Sequence, residues 1–155
     1  MTLNSSSMSE NREIQTIGKY KILGTLGRGS MGIVYKGQDP EIGRLVAIKT
    51  LRKMFSSHFQ DTSTSLERFR LEARSAGNLR HPNIITVFDI NFEGEIPFIV
   101  MDYVEGEGLD QLISKNGRIE PRLVIRYLRE VAQGLDYAHS NGVIHRDIKP
   151  SNIIV

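Results

Sequence analysis

The sequence predicts an α+β fold: a five-stranded, mostly antiparallel sheet with one helix over residues 17–104, then a mostly helical segment that begins over 105–155. Three observations carry that expectation. Between Tyr20 and Val104, apolar residues sit in short β-type runs separated by Gly, Pro and Asn turn chemistry. Within that region, the stretch from Thr64 shows a helical period instead. After Val104 the strands give way to helices. Strands joined by short turns, with helices set apart from them, fit a segregated α+β unit.

Met1 to Thr16 is rich in Ser, Asn and Glu and has no period, nor the basic start and apolar core of a secretory signal. It is expected to be a flexible polar tail over 1–16. Tyr20–Leu26 and Gly32–Gln38 are β-type runs joined by a glycine-dense link, and Asp39-Pro40-Glu41-Ile42-Gly43 is a turn. Arg44–Leu51 is a third strand, followed by a polar loop from Met54 to Ser65. Thr64-Ser65-Leu66-Glu67 is a capping box, and Leu66, Phe69, Ala73 and Ala76 form the buried stripe of the helix it opens. Ile84–Ile90 and Ile96–Val104 are two more strands, joined by the turn residues Asn91 to Gly94.

Glu105-Gly106-Glu107-Gly108 is a glycine-spaced connector to a brief helix, Leu109–Lys115, stopped by Asn116-Gly117. Pro121 suits the first position of a longer helix. In that helix Val124, Leu128, Val131, Leu135 and Ala138 share one face, and Asn141-Gly142 ends it. Ile153-Ile154-Val155 reads as an apolar strand without a partner, which suggests a second domain cut short. The last helix is then expected to expose an apolar stripe, with poor solubility for the isolated piece.

Composition narrows the classes of function. The chain has 155 residues, 39% hydrophobic and 25% charged, which excludes wholesale disorder and collagen-like repeats. Twenty Lys plus Arg against 18 Asp plus Glu leave a net charge of +2, too small an excess for a nucleic-acid binder. The absence of cysteine removes disulfides, thiol catalysis and Cys-type zinc, and fits a reducing compartment. The longest apolar run, Ile96–Met101, contains Pro97 and is far short of the roughly 20 residues a membrane helix needs. A cytoplasmic location is the expectation from those absences.

The chemistry begins at Gly27-Arg28-Gly29-Ser30-Met31-Gly32-Ile33-Val34. Glycines in a strand-turn-strand let backbone amides approach phosphate oxygens closely. A dinucleotide fingerprint would lead into a helix, whereas Gly32 leads into the strand Ile33-Val34-Tyr35-Lys36. In Val46-Ala47-Ile48-Lys49, alternation puts Ala47 and Lys49 on one face, leaving room for a flat ring beside a cation. An isolated lysine is most often a solvated surface residue. Of the carboxylates that could hold it, Glu72 lies at the margin of the buried stripe and Glu67 shares a polar face with Arg70 and Arg74. Glu72 is the better partner for Lys49, with pairing to Arg68 as its alternative.

The most specific run is His145-Arg146-Asp147-Ile148-Lys149-Pro150-Ser151-Asn152. Asp147 can accept a proton from an attacking hydroxyl, Lys149 can neutralise a migrating phosphoryl group, and Asn152 can hold a metal. His145 suits a hydrogen-bonded structural role and Arg146 an anion partner.

With these motifs in this order, the chain from about Tyr20 to Val155 resembles a protein kinase, of the eukaryotic-like serine/threonine kind and similar to the bacterial ones. The resemblance implies an N-lobe over 17–104 and the start of a C-lobe over 105–155. It implies that Leu26, Gly27, Arg28, Gly29, Ser30, Met31, Gly32 and Val34 cover ATP, with Ala47 beside the ring and Lys49 on the phosphates, paired with Glu72. Met101 would be the gatekeeper, backbone groups of Asp102 and Val104 would pair with adenine, Asp147 would be the base and Asn152 a ligand of Mg²⁺. Lys149 two residues after the aspartate resembles serine/threonine kinases, so the implied partner is a protein bearing Ser or Thr; a dimer through the N-lobe is compatible with it. The family's DFG aspartate and APE segment do not occur in these residues, so a catalyst is expected only in a longer parent. A pseudokinase or ATP-binding scaffold, a small-molecule phosphotransferase and an inactive fragment are the rival expectations.

Overall fold

The computed structural model describes residues 15–29, 32–50, 77–92 and 97–155. Alternation explains the sheet. In Leu45–Thr50, the fourth strand (β4), Val46, Ile48 and Thr50 point to one side and are buried, while Ala47 and Lys49 point to the other. The neighbours are β1 (Thr16–Ile17), β2 (Tyr20–Gly29), β3 (Gly32–Gln38), β5 (Val87–Asn91) and β6 (Phe98–Asp102). All pairs are antiparallel, in the spatial order β1-β2-β3-β4-β6-β5.

The core lies on the Val46 side. Ile17, Tyr20, Ile33, Tyr35, Val46, Ile48, Phe98 and Val100 form one buried cluster, with Ile22 and Phe88 packed against it. The Tyr20 ring meets Phe98 edge-on, and its hydroxyl donates to Asp89 at 3.2 Å, tying β2 to β5. Burial, then the nearby Asp89 charge, push the Tyr20 phenol up to about 12, so it stays a donor. The β3–β4 turn is fastened by the Asp39 carboxylate, which accepts the Glu41 amide at 3.0 Å. Lys19 sits 3.1 Å from Asp39 and 2.8 Å from Glu41 across the same turn.

Two helices follow, α1 (Leu109–Asn116) and α2 (Pro121–Ser140), with Pro121 at the helix start. Gly134 and Ala138 are the buried positions of α2. The turn before β5 docks there: the Asn83 amide donates to the Glu130 carbonyl at 2.9 Å, and His81 stacks on Tyr137 with centroids 5.2 Å apart. Ile125 and Leu128 on α2, and Ile144 and Ile148 beyond it, are exposed.

Several expectations need correction. The sheet has six strands, because Thr16–Ile17 adds a short edge strand paired to Lys21 and Tyr20; Thr16 is therefore in the sheet, not in a tail. Strand β2 runs on through Gly27-Arg28-Gly29, since Gly29 still pairs with Gly32. Strand β5 begins at Val87 rather than Ile84, because the residues before it form the turn that docks on α2. The final strand is not unpartnered. Ile154 bridges Gly108, the Leu109 amide donates to the Ile153 carbonyl at 2.8 Å, and the Val155 amide donates to the Glu107 carbonyl at 3.0 Å. Gly106 permits this approach, for a Cβ there would lie 2.6 Å from the Val155 carbonyl oxygen. The helix expected from Thr64, with Glu67 and Glu72, lies outside the described residues, as do Ser30, Met31 and most of the expected tail.

Candidate functional site

The sheet face opposite the core collects the predicted nucleotide residues. Directly opposed residues of an antiparallel pair share a face. Val34 opposes Lys49, Lys36 opposes Ala47, and Ala47 in turn opposes Met101. Val34, Ala47, Lys49 and Met101 thus lie together, although Met101 on β6 is some fifty residues further along the chain than the consecutive strands β3 and β4. Lys49 is half-buried and makes no ion pair among the described residues; its expected partner Glu72 lies outside them.

Gly27 opposes Val34, and Gly29 opposes Gly32, so the glycine-rich segment extends the β2–β3 hairpin past Val34. Leu26 is exposed at a register shift between Thr25 and Gly27, and Arg28 is exposed opposite Ile33. Gly32 has φ +149°, and a Cβ there would lie 1.7 Å from the Thr50 carbonyl oxygen, so only glycine fits. The buried Thr50 hydroxyl accepts the Ile33 amide at 3.2 Å and donates to the Ile33 carbonyl at 3.1 Å.

At the end of β6, Asp102 is held from several sides. Its amide donates to the Thr86 carbonyl at 2.9 Å, and its carboxylate accepts the Thr86 amide and the Arg44 guanidinium, each at 3.1 Å. Its amide is therefore engaged within the protein. Val104 is exposed and has no backbone partner among the described residues. Between them Tyr103 accepts a hydrogen bond from Lys36 at 3.2 Å, with the ammonium 4.2 Å from the ring centroid.

The second cluster is built within a few residues of chain. Pro150–Asn152 forms a 3-10 turn that brings Asn152 back onto Asp147. The Asn152 amide nitrogen donates to the Asp147 carbonyl at 2.8 Å and to its carboxylate at 3.1 Å. Lys149 Nζ lies 2.8 Å from the same carboxylate oxygen. The Lys149 hydrogen bond first, then that from Asn152, hold the Asp147 carboxyl below its ordinary range even though it is exposed. His145 Nδ1 accepts the Asp147 amide at 3.2 Å, the structural role expected for it. Arg146 has φ +64°, an uncommon conformation for a residue with a side chain, costing on the order of 1 kcal/mol. Such strain is concentrated where a loop must hold functional groups in a set geometry.

The ribbon between Glu107–Leu109 and Ile153–Val155 fastens the end of this loop to the connector that follows Val104. Three residues that sequence reasoning passed over emerge from the geometry. Thr50, Tyr103 and Arg44 each touch a predicted site element, but through contacts between strands that no local motif encodes.

A curled antiparallel sheet, a glycine hairpin paired next to a strand lysine and an Asp–Lys–Asn cluster on the loop after a helix are the features of a protein kinase. Residues 20–155 match the family model of the protein kinase domain, and the chain belongs to that family. Its relatives include bacterial serine/threonine kinases. PrkC of Bacillus subtilis is 40% identical over 138 residues, covering 89% of this chain and 21% of that protein. PknA of Mycobacterium tuberculosis is 36% identical over 153 residues, covering 96% of this chain and 35% of PknA. The crystal structure of the M. tuberculosis PknI kinase domain superimposes with a TM-score of 0.76 at 32% identity, covering 90% of this chain and 55% of that one. The chain therefore spans about a fifth to a third of the curated relatives it matches, and about half of a kinase domain of known structure.

Proposed function

We propose that the protein carrying this chain transfers the terminal phosphoryl group of ATP to Ser or Thr hydroxyls of protein substrates. The observation that carries this reading is the Asp147–Lys149–Asn152 cluster, in which an exposed carboxylate is both oriented and kept ionised. A base must be deprotonated and must reach its proton; exposure and the cation beside it supply both conditions.

The opposite sheet face fits a nucleotide. Val34, Ala47 and Met101 offer an apolar surface for a flat ring, with the Lys49 ammonium on the same face for phosphate. Leu26, Gly27, Arg28, Gly29, Ser30, Met31 and Gly32 would lie over it, with Glu72 as the partner of Lys49. The Asp102 carbonyl and the Val104 backbone would pair with the base. Asn152 spends its amide nitrogen on Asp147, so its amide oxygen is the atom left for a cation. No cluster of three or more acidic or His side chains is present among the described residues. Asn152 would supply one ligand to Mg²⁺, with phosphate oxygens among the others, a common arrangement for this ion. When bound, it would neutralise phosphate charge.

In the reaction, Asp147 takes the proton of the substrate hydroxyl as its oxygen forms the new bond to phosphorus and the bond to the ADP oxygen breaks. Lys149 balances negative charge at the phosphoryl group, and Asn152 keeps the Asp147 carboxylate turned toward the hydroxyl. Lys149 and the names of the relatives favour Ser and Thr as acceptors. Among the described residues no helix is long and apolar enough to cross a membrane. We place the reaction in the cytoplasm, where ATP is supplied, in keeping with the absence of cysteine.

The test is Asp147→Asn in a protein that contains the whole kinase domain. Turnover should fall about a thousandfold, within the span of general-base contributions, while ATP affinity stays within about twofold. Near-wild-type turnover would remove Asp147 as the base.

A further inference from the structure

We infer that Thr50 is a positioning residue for the nucleotide: its hydroxyl sets where the return strand of the glycine hairpin lies relative to Lys49. This rests on the phosphotransfer reading above. The β3–β4 ladder pairs residue against residue from Gln38 and Leu45 up to Val34 and Lys49. One step further the pattern changes. The Ile33 amide and carbonyl both bond to the Thr50 side chain, at 3.2 and 3.1 Å. A hydroxyl can accept and donate at the same atom, so a single oxygen satisfies both backbone groups.

These bonds are buried, with Thr50 2% and Ile33 7% exposed, so water is poorly placed to replace them. The β-branched side chain restricts χ1, which confines the hydroxyl to few positions. The Thr50 carbonyl meanwhile packs on Gly32 so closely that no Cβ could intervene. Thr50 therefore grips Ile33 by hydrogen bonds and Gly32 by contact, between Val34 on one side and the hairpin on the other. Its chain neighbour is Lys49. The hairpin and the lysine are referred to each other through one residue that touches neither ring nor phosphate.

The experiment is a series of decreasing hydrogen-bond strength, Thr50→Ser, Thr50→Cys and Thr50→Val, in a protein containing the whole kinase domain. The KM for ATP should rise about twofold, several-fold and about tenfold in that order, while the KM for the protein substrate stays within twofold. If Thr50→Val does not fold, Thr50→Ser and Thr50→Cys still give the gradient. A KM for ATP that stays flat while the melting temperature falls would overturn the inference, leaving Thr50 a purely structural residue. Amide hydrogen exchange at Ile33 reads the same restraint without nucleotide: it should accelerate along the series, and unchanged exchange would also overturn it. Failure of the wild-type protein to bind ATP would instead overturn the phosphotransfer reading.

Discussion

The two halves of the candidate site are held by different physics. On the sheet, Val34, Ala47, Lys49 and Met101 are brought together by register between three strands, over a core in which Ile48 and Val100 are fully buried. On the loop, Asp147, Lys149 and Asn152 are all exposed, and they are set by hydrogen bonds spanning no more than five residues. The candidate nucleotide face is thus a product of tertiary structure, and the candidate catalytic cluster a product of local chemistry. Substitutions should separate accordingly. Those under the sheet, Thr50 apart, should cost stability, and those in the loop should cost rate.

The largest separation is expected from Ile48→Ala, which removes a side chain with no exposed surface from the centre of the core. Loss of transfer energy plus the cavity left behind should lower stability by about 2–5 kcal/mol, measurable by denaturant unfolding. Activity per folded molecule should change little; a large change in it would mean that the two halves are not independent.

Lys149→Met should act in the opposite way. The exposed ion pair with Asp147 adds little stability, so the melting temperature should hold within a degree or two. Turnover should fall about a hundredfold through loss of charge stabilisation. The pH profile carries the sign. With Lys149 present, the Asp147 carboxyl is held below its ordinary value, so the base stays ionised to lower pH. Any stability it adds is present above its unfolded pKa and lost as pH falls through the folded one. Removing the cation should move the acid limb of turnover to higher pH. An unmoved limb would show that Lys149 does not tune Asp147.

The smallest effect should come from Arg44→Met. Arg44 is bonded to Asp102 at 3.1 Å and stacked 3.6 Å from the Phe88 ring centroid, on a surface open to water. Its loss should cost at most about 1 kcal/mol in thermal unfolding, with a slight rise in the KM for ATP. A larger rise would extend the nucleotide half of the site around to the far side of the sheet.

How much was legible in the sequence follows the same division. The run from His145 to Asn152 could be singled out as a unit, because the groups that hold Asp147 lie within it, but that Lys149 and Asn152 bond to Asp147 appears only in the folded loop. The strands were legible as a period of two and the helices as a period of 3.6, so β2–β6, α1 and α2 fall near their expected places. Thr16–Ile17 was missed because two residues carry no period. The partner of Ile153–Val155 was missed because Glu107 to Leu109 recognises it through backbone groups, which side-chain patterns do not report. Thr50 was missed for a related reason. Its importance lies in replacing one rung of a ladder, and a threonine in a strand looks like any other β-branched residue until the opposing strand is in place.

The ribbon joining Glu107–Leu109 to Ile153–Val155 has a consequence for the continuity of the chain. It stitches together the two ends of the segment that holds both helices, while Asn83 grips that segment partway along, at Glu130. The exposed Asn116–Gly117 turn, flanked by Lys115 and Arg118, is the kind of tip a protease nicks first. Cutting there would break the covalent path from Val104 to Asp147 but not the physical one, because the loop reaches the connector again through its own far end. The enclosed helices could then be split, lengthened or relinked at that turn while the Asp147 carboxylate stays tied, through its own loop, to the connector after Val104.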